Sequence, residues 1–476
     1  MSPIRTTLAT AALLALAHGA TAQTVGPVAF VNGLALSGSL TDLSSGSDFE
    51  RRVGYFSDIY YDRHRNEWWG LSDRGPGGGT LPYETRVQRF TLDVDGVTGA
   101  ISNFQVVQTL KFSAAGIALN GLAPAVPSFL GFSFDPEGFV VNPVTGNLLV
   151  SDEYGPSLYE FDRSGQLVRA YETPANLLPR TAAGVDFNAA PATLVAGREG
   201  NRGMEGLAIS PDGRYAYGVL QNGTVQDGWT ASSRGTYTRI VKYDTATGQA
   251  VGQYAYKLES AGQGRGISAL VALGNDKFMI LERNNRGVGV GATLASADKN
   301  VYIVDLAGAS DVTNVNLPAT GALPVGVTAA TKGARIIDLD ANTLAALGNR
   351  SPEKWEGLAV GPQLANGKYL LLAGTDNDYS VTQNGTGTQF DVWFRMSDAD
   401  PYASSIQCPV GSLTGCTFTT GGAAAALSAD YSLLPGVLHA YTADITGYTA
   451  PVPEPGTWAL WAAGLALGAA RLRRRG

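Results

Sequence analysis

The chain has 476 residues, with 60 Gly, only 16% Asp, Glu, Lys and Arg, and a formal charge of −7. An acidic, Gly-rich chain with no basic patch interleaved with aromatics argues against a nucleic-acid partner. Cys408 and Cys416, eight residues apart in a Gly/Thr-rich stretch, read as one local disulfide of an exported protein rather than as a metal pair.

In chain order, residues 1–22 read as a secretory signal peptide. Arg5 forms the charged region, Leu8 to Ala17 the apolar region, and Ala20-Thr21-Ala22 the cleavage site. From residue 25 to 450 the pattern is that of strands and turns. Five copies of one unit open with Ser57-Asp58-Ile59-Tyr60-Tyr61, Glu137-Gly138-Phe139-Val140-Val141, Glu205-Gly206-Leu207-Ala208-Ile209, Ser268-Ala269-Leu270-Val271-Ala272 and Glu356-Gly357-Leu358-Ala359-Val360. A turn follows, as in Ser210-Pro211-Asp212-Gly213-Arg214, and then a second apolar strand ending in polar residues. Third strands are expected at Val87 to Asp93, Leu158 to Asp162, Ile240 to Asp244, Val301 to Asp305 and Val392 to Arg395, and several copies show a fourth. Alternation of period two without helices predicts an all-β fold, a β-propeller of four-stranded blades. Five repeats are visible, giving five or six blades, and Val28 to Leu40 is expected to supply a closing strand. The copies are spaced more widely than the usual ~40–45 residues. Long loops such as Gln221 to Tyr237 and Asn284 to Lys299 take up the excess.

In a propeller the first strand of each blade lines the axis, so Ser57, Glu137, Glu205, Ser268 and Glu356 are expected around one channel. Three converging carboxylates repel unless a cation, a proton or Arg/Lys neutralises them. Oxygen donors favour Ca²⁺ or Mg²⁺ over zinc. The expected metal ligands are Glu137, Glu205 and Glu356 with Asp73 and Asp152 from the second strands. Glu205, Glu137 and Glu356 are also the candidate catalytic acids. Arg74, Arg202, Arg265 and Arg283 are candidates to bind an anionic substrate group. The competing reading is that the Glu residues accept backbone N–H bonds and pair with those Arg residues to hold the repeats in register. Trp68, Trp69 and Tyr159 are expected in the core, and Asp93, Asp162, Asp244 and Asp305 in turns. No G-x-S-x-G, P-loop or H-E-x-x-H occurs. Beyond the signal peptide only His64 and His439 remain, and neither is placed beside a Ser, so hydrolysis would use activated water and a carboxylate base.

The segments Leu71-Ser72-Asp73-Arg74-Gly75, Asp135-Pro136-Glu137-Gly138, Gly203-Met204-Glu205-Gly206-Leu207, Lys242-Tyr243-Asp244, Ile280-Leu281-Glu282-Arg283 and Trp355-Glu356-Gly357-Leu358 resemble the phytase-like, "esterase-like activity of phytase" family over roughly residues 50 to 396. The resemblance implies an exported β-propeller with a hydrolase activity on phosphate or carboxylic esters. At the far end, Val452-Pro453-Glu454-Pro455, the apolar run Thr457 to Ala470 and Arg471, Arg473, Arg474 and Arg475 resemble a PEP-CTERM sorting signal. That resemblance implies residues 452–476 as a tail read by an exosortase, transient inner-membrane anchoring, and a final place outside a Gram-negative cell. The apolar run is shorter than the ~20 residues of a stable span, and its basic end fits the cytoplasmic side. Two functions follow: a metal-dependent ester hydrolase favouring phosphoesters, or a non-catalytic surface propeller that binds exopolysaccharide or matrix.

Overall fold

The computed structural model describes residues 23–451 except 47, 231–232, 260–264, 275, 385–386 and 423–425. The export and sorting tails of the sequence analysis lie outside the described residues. No helix among the described residues is long and apolar enough to cross a membrane.

The period-two segments become five four-stranded antiparallel sheets. The first runs Asp58–Asp62, Glu67–Leu71, Arg86–Val94, Ile101–Lys111. The second is Pro136–Val141, Leu148–Asp152, Ser157–Phe161, Leu167–Ala170. The third is Met204–Ile209, Tyr215–Leu220, Tyr237–Asp244, Gln249–Lys257. The fourth is Gly266–Gly274, Lys277–Arg283, Lys299–Asp305, Thr331–Asp338. The fifth joins both ends of the chain: Trp355–Gln363, Tyr369–Thr375, Gly436–Ala443 and, at its edge, Ala29–Leu36. The expected closing strand is therefore present.

One expectation fails here. Val392 to Arg395 is not the third strand of the fifth sheet; Gly436–Ala443 is. Thr388–Phe394 belongs to a separate sheet inserted between the second and third strands, with Val381–Asn384, Ile406–Pro409, Thr417–Phe418 and Ser432–Leu433. Alternation reports a half-buried strand but not the sheet it joins. The disulfide Cys408–Cys416 closes this insertion, as expected.

The innermost strands of the five sheets touch one another in cyclic order, each packing on the one before and the one after. The Glu-Gly pairs explain how closely they approach. A Cβ on Gly138 would lie 2.6 Å from the Glu205 carbonyl oxygen, and one on Gly206 would lie 2.7 Å from the Leu270 nitrogen. A Cβ on Gly357 would meet Ile59 at 2.6 Å. Only glycine leaves room for that approach. Polar side chains stitch the same seam. Asp58 accepts from the Phe139 N–H at 2.8 Å, and Ser151 accepts from Gly138 N–H at 2.7 Å while donating to the Glu205 carbonyl at 2.8 Å. The wedges between sheets are filled by apolar clusters, for example Trp69, Phe112, Phe139 and Phe161 between the first and second.

The two ends of the ring differ. On one side most connections are short turns: 63–66, 95–100, 142–147, 162–166, 210–214, 245–248 and 364–368. There the axis is lined by apolar residues such as Ile59, Leu207 and Leu358 and is capped by Arg63, Tyr448 and Pro451. The Arg63 guanidinium lies 5.3, 5.5 and 5.6 Å from the rings of Tyr61, Tyr369 and Tyr448. On the other side lie long connections: 112–135, 171–203, 221–236, 284–298, 339–354 and the insertion. Long loops over a rigid scaffold are where function concentrates, and the Glu residues of the repeat open on that side.

Gly206→Ala tests the close seam. The added methyl would press on the backbone of Ala269 and Leu270, so unfolding free energy should fall by about 1–3 kcal/mol, read from chemical denaturation. An unchanged midpoint would show that the strands can part without cost.

Candidate functional site

Each repeat Glu stands just before the glycine at which the innermost strands converge, so the three carboxylates are driven to one mouth. All are buried. Glu137 is held well above the usual carboxylate range, by burial first and then by the charges of Glu205, Asp135, Glu153 and Glu356. Glu205 is also raised well above that range, by burial, Glu153 and Glu356, against Arg283 and Arg202. Glu356 is raised by burial, with Lys354 and Arg283 opposing and Asp378 and Asp73 adding. The three expected acids therefore share one electrostatic neighbourhood.

The tightest donor set within it is Asp135, Glu137 and Glu153, each offering an oxygen within 4.8 Å of the others. These residues could hold a metal ion. Glu137 makes no ion pair or hydrogen bond with any described residue, and Glu153 Oε1 is buried without a hydrogen-bond partner. Arg74 donates from its backbone N–H and its guanidinium to Asp135, at 3.1 and 2.5 Å, and lies 3.6 Å from Glu153. All the donors are hard oxygens, as Ca²⁺ and Mg²⁺ prefer.

The other expected ligands stand differently. Asp152 spends both oxygens on backbone: it accepts from Asp135 N and Tyr154 N at 2.9 and 3.1 Å and from Gly155 N at 2.9 Å. Its role in the fold is to set the turn that presents Glu153 and Asp135. Burial still pushes it up to about 7. Asp73 accepts from Gly75 N at 2.9 Å and is pushed up to about 8, by burial and then by Asp376. Asp376 is raised to about 7 by burial, although Lys354 donates to it at 2.8 Å. Lys354 also lies 2.7 Å from Asp378. Asp378, Tyr379 and Ser380 all have left-handed φ angles of 48, 54 and 54°. Such residues cost energy that the surroundings must offset, here through the Tyr379 ring packed against Tyr83.

The four candidate arginines divide. Arg283 is fully engaged, donating to Ser268 Oγ at 2.9 Å, to Asn285 Oδ1 at 3.0 Å and to Glu356, so it braces the fourth sheet against the fifth. Arg74 is committed to Asp135. Arg265 turns toward Glu282 and Asp298. Arg202 retains capacity. It donates to Gln221 Oε1, and Gln221 in turn donates to Glu205 Oε1. Arg202 also donates to the Asn201 carbonyl at 2.6 Å, and its buried Nε, without a hydrogen-bond partner, lies 3.9 Å from Glu199 Oε2. Its pKa is lowered by burial and then by the nearby Arg234, so this cation is undercompensated. Sequence reasoning overlooked Gln221 and did not assign Asp135 or Glu153 as ligands. Asp135 was visible only as the first residue of Asp135-Pro136-Glu137-Gly138.

His64 is exposed in its turn. His439 is buried against Trp355, 4.7 Å between ring centres, and held neutral, its pKa lowered to about 4 by burial. Neither adjoins the mouth. Trp68 and Trp69 are buried in the core; Asp162, Asp244 and Asp305 accept turn hydrogen bonds, whereas Asp95 does so where Asp93 was expected.

The fold and site define an all-β protein with a buried, carboxylate-rich mouth whose acidic cluster could hold a metal ion. The profile of the family described as "Phytase-like: Esterase-like activity of phytase" matches residues 51–379. The chain belongs to this phytase-like family. It is 26% identical over 415 residues to an "Uncharacterized secreted protein" of Arthroderma benhamiae, covering 68% of this chain and 80% of that protein. Among solved structures, a luciferin-regenerating enzyme matches with a TM-score of 0.32 and 11% identity, over 90% of this chain and 100% of that one. An α-L-arabinofuranosidase from Clostridium thermocellum matches with a TM-score of 0.32 and 11% identity, over 70% of this chain and 91% of that one. Likenesses this distant set neither the fold nor the activity of this chain.

Two outcomes test the site. Carboxylates raised in the native state bind more protons than the unfolded chain between their unfolded pKa, about 4, and their folded values. Their contribution is therefore greatest in acid and is lost as pH rises through about 7 to 8. In EDTA, Tm should fall from pH 5.5 to pH 8, and Ca²⁺ should raise Tm more at pH 8 than at pH 5.5. A Tm that climbs over this range in EDTA would refute the buried-acid description. Separately, Arg283→Met should destabilise the fold by about 3–5 kcal/mol, because it removes the ion-pair partner of buried Glu356. Denaturation at pH 7 measures this, and a loss below 1 kcal/mol would show that the pair does not brace the ring.

Proposed function

We propose that this protein is an exported β-propeller of five blades whose acid mouth hydrolyses phosphate-bearing esters. The five four-stranded sheets with cyclically packed innermost strands support the propeller reading. The secreted relative and the signal-like residues 1–22 support export, and residues 452–476 are proposed as the sorting tail for an exosortase. The observation that carries the hydrolase reading is the pairing of Asp135, Glu137 and Glu153, a donor set for a divalent cation, with Arg202, whose Nε has no hydrogen bond and which feels the charges of Glu153, Glu199 and Glu205.

Asp135, Glu137 and Glu153 would hold Ca²⁺ or Mg²⁺, which when bound supplies Lewis-acid polarisation of the phosphoryl group. Arg202 binds an anionic oxygen of the ester and, through Gln221, orients Glu205. One oxygen of Glu205 is taken by Gln221, leaving the other to accept a proton from water. The water oxygen then bonds to phosphorus, the bond from phosphorus to the ester oxygen breaks, and the departing alcohol takes the proton that Glu205 accepted. Arg74 opposes protonation of Asp135 and holds it in place. Glu356, held by Arg283 and Lys354, adds to the field that raises Glu205.

The test is turnover of p-nitrophenyl phosphate and p-nitrophenyl acetate by the mature protein, in EDTA and with Ca²⁺ or Mg²⁺ restored. Phosphate-ester turnover should vanish in EDTA and return with metal. Glu205→Gln should lower kcat about 10²–10⁴-fold without unfolding the protein. Absence of turnover with either ester, from folded metal-supplied protein, would overturn the hydrolase and favour a matrix- or polysaccharide-binding propeller.

A further inference from the structure

The connection 112–135 that leads into the acid mouth carries apolar side chains in the open. Val126, Phe129 and Phe132 are 53%, 68% and 39% exposed. The segment is nonetheless pinned. Phe129 N–H donates to the Val126 carbonyl at 3.0 Å, closing a turn, and Phe187 N–H donates to the Pro127 carbonyl at 2.7 Å. Ala123 N–H donates to the Gly79 carbonyl at 2.8 Å, and Phe134 N–H to the Asn120 carbonyl at 2.9 Å. These residues are held outward by a built loop, although water disfavours them there.

The same loop is tied to the acid site. Tyr154, next to Glu153, donates its hydroxyl to the Gly121 carbonyl at 2.7 Å. Leu130 packs so close to Gly155 that a Cβ there would lie 2.5 Å from its Cδ1. Asp135 follows Phe132 by three residues in the chain. The loop that carries this apolar rim is therefore anchored beside the Asp135–Glu137–Glu153 donor set.

We propose that this rim receives the apolar chain of the substrate, making the substrate an amphiphilic ester: an anionic phosphate head at Arg202 and the acid mouth, and an alkyl or acyl chain along Val126, Phe129 and Phe132. The inference rests on the hydrolase reading for the head and adds the nature of the tail. A single molecule fits better than a bilayer. Besides Ile117 of the same connection, only Val126, Phe129 and Phe132 are offered, a small area for a bilayer.

Phosphonates, whose carbon–phosphorus bond does not hydrolyse, separate binding from turnover. Calorimetry in Ca²⁺ should find octylphosphonate, below its micelle concentration, bound at least about tenfold more tightly than methylphosphonate, the gain expected from burying two or more methylenes. Val126→Ser with Phe129→Ser should bring the two ligands within about threefold while leaving Ca²⁺ affinity and methylphosphonate binding unchanged. Equal affinity for both chain lengths in the native protein, binding of neither, or a preference that survives the double substitution would each overturn the proposal. Sedimentation with neutral phosphatidylcholine vesicles that is lost in the double variant, without chain-length preference, would reassign the rim to a membrane surface. Turnover of p-nitrophenyl phosphate without chain preference would sink the rim and spare the hydrolase; chain preference without turnover would do the reverse.

Discussion

The innermost strands pack directly against one another in a closed cycle, and the rest of the architecture answers to that contact. Where Gly138, Gly206 and Gly357 let neighbouring strands meet, the residue before each is necessarily brought to the axis. That residue is Glu137, Glu205 or Glu356. Geometry that tightens the ring thus also concentrates negative charge in a place with little water. Burial is the largest single influence on all three acids. The bases around them serve two ends. Arg283 joins Ser268 to Glu356 across the fourth and fifth sheets, and Arg74 joins the first sheet to Asp135 at the head of the second. Each neutralises an acid while holding two sheets in register. Replacing such a pair wholesale by apolar residues need not weaken the fold, whereas removing one partner does.

Compensation is uneven around the mouth, and the unevenness is informative. On the fifth-sheet side Lys354 lies between Asp376 and Asp378 and Arg283 is saturated, so that side is closed as a bracing network. On the second-sheet side, among the described residues, Glu137 has no hydrogen-bond or ion-pair partner, and Glu153 Oε1 and Arg202 Nε make no hydrogen bond. Structural ion-pair networks also perturb acids. What distinguishes the second-sheet side is unspent bonding capacity of both signs, within one small volume.

Much of the fold was legible because period-two alternation is a local signal. The four-strand copies, the glycine after each glutamate and the strand from the amino-terminal region all emerge from it. What escaped reading was non-local. Thr388–Phe394 alternates as well as any strand, yet its partners are Ile406–Pro409 and Ser432–Leu433, and only the ladder reveals that. The site shows the same limit at finer scale. Asp152 and Glu153 are neighbours, but the register shifts between Val150 and Asp152 where the second strand turns. That bulge sends Asp152 into the backbone and leaves Glu153 for the mouth. Arg265 precedes its repeat just as Arg202 does, but Glu282 and Asp298 draw it away. Sequence position sets the level of a residue along the axis; the last few dihedral angles decide where its side chain goes.

The fifth sheet holds Ala29–Leu36 against Gly436–Ala443, and Thr24–Val25 pairs with Ile445–Thr446 beside it. The ring therefore has an order of assembly. Four sheets can form from contiguous stretches as the chain appears, but the fifth waits for residues some four hundred positions apart to find each other. Until then Ala29–Leu36 and Tyr369–Thr375 are open edges that invite pairing with other chains. Completion is also delayed by the entropy of closing so long a loop. A chain interrupted before residue 436 would keep its mouth-forming sequences and lose its shape, so its quality is judged at the last strand rather than the first.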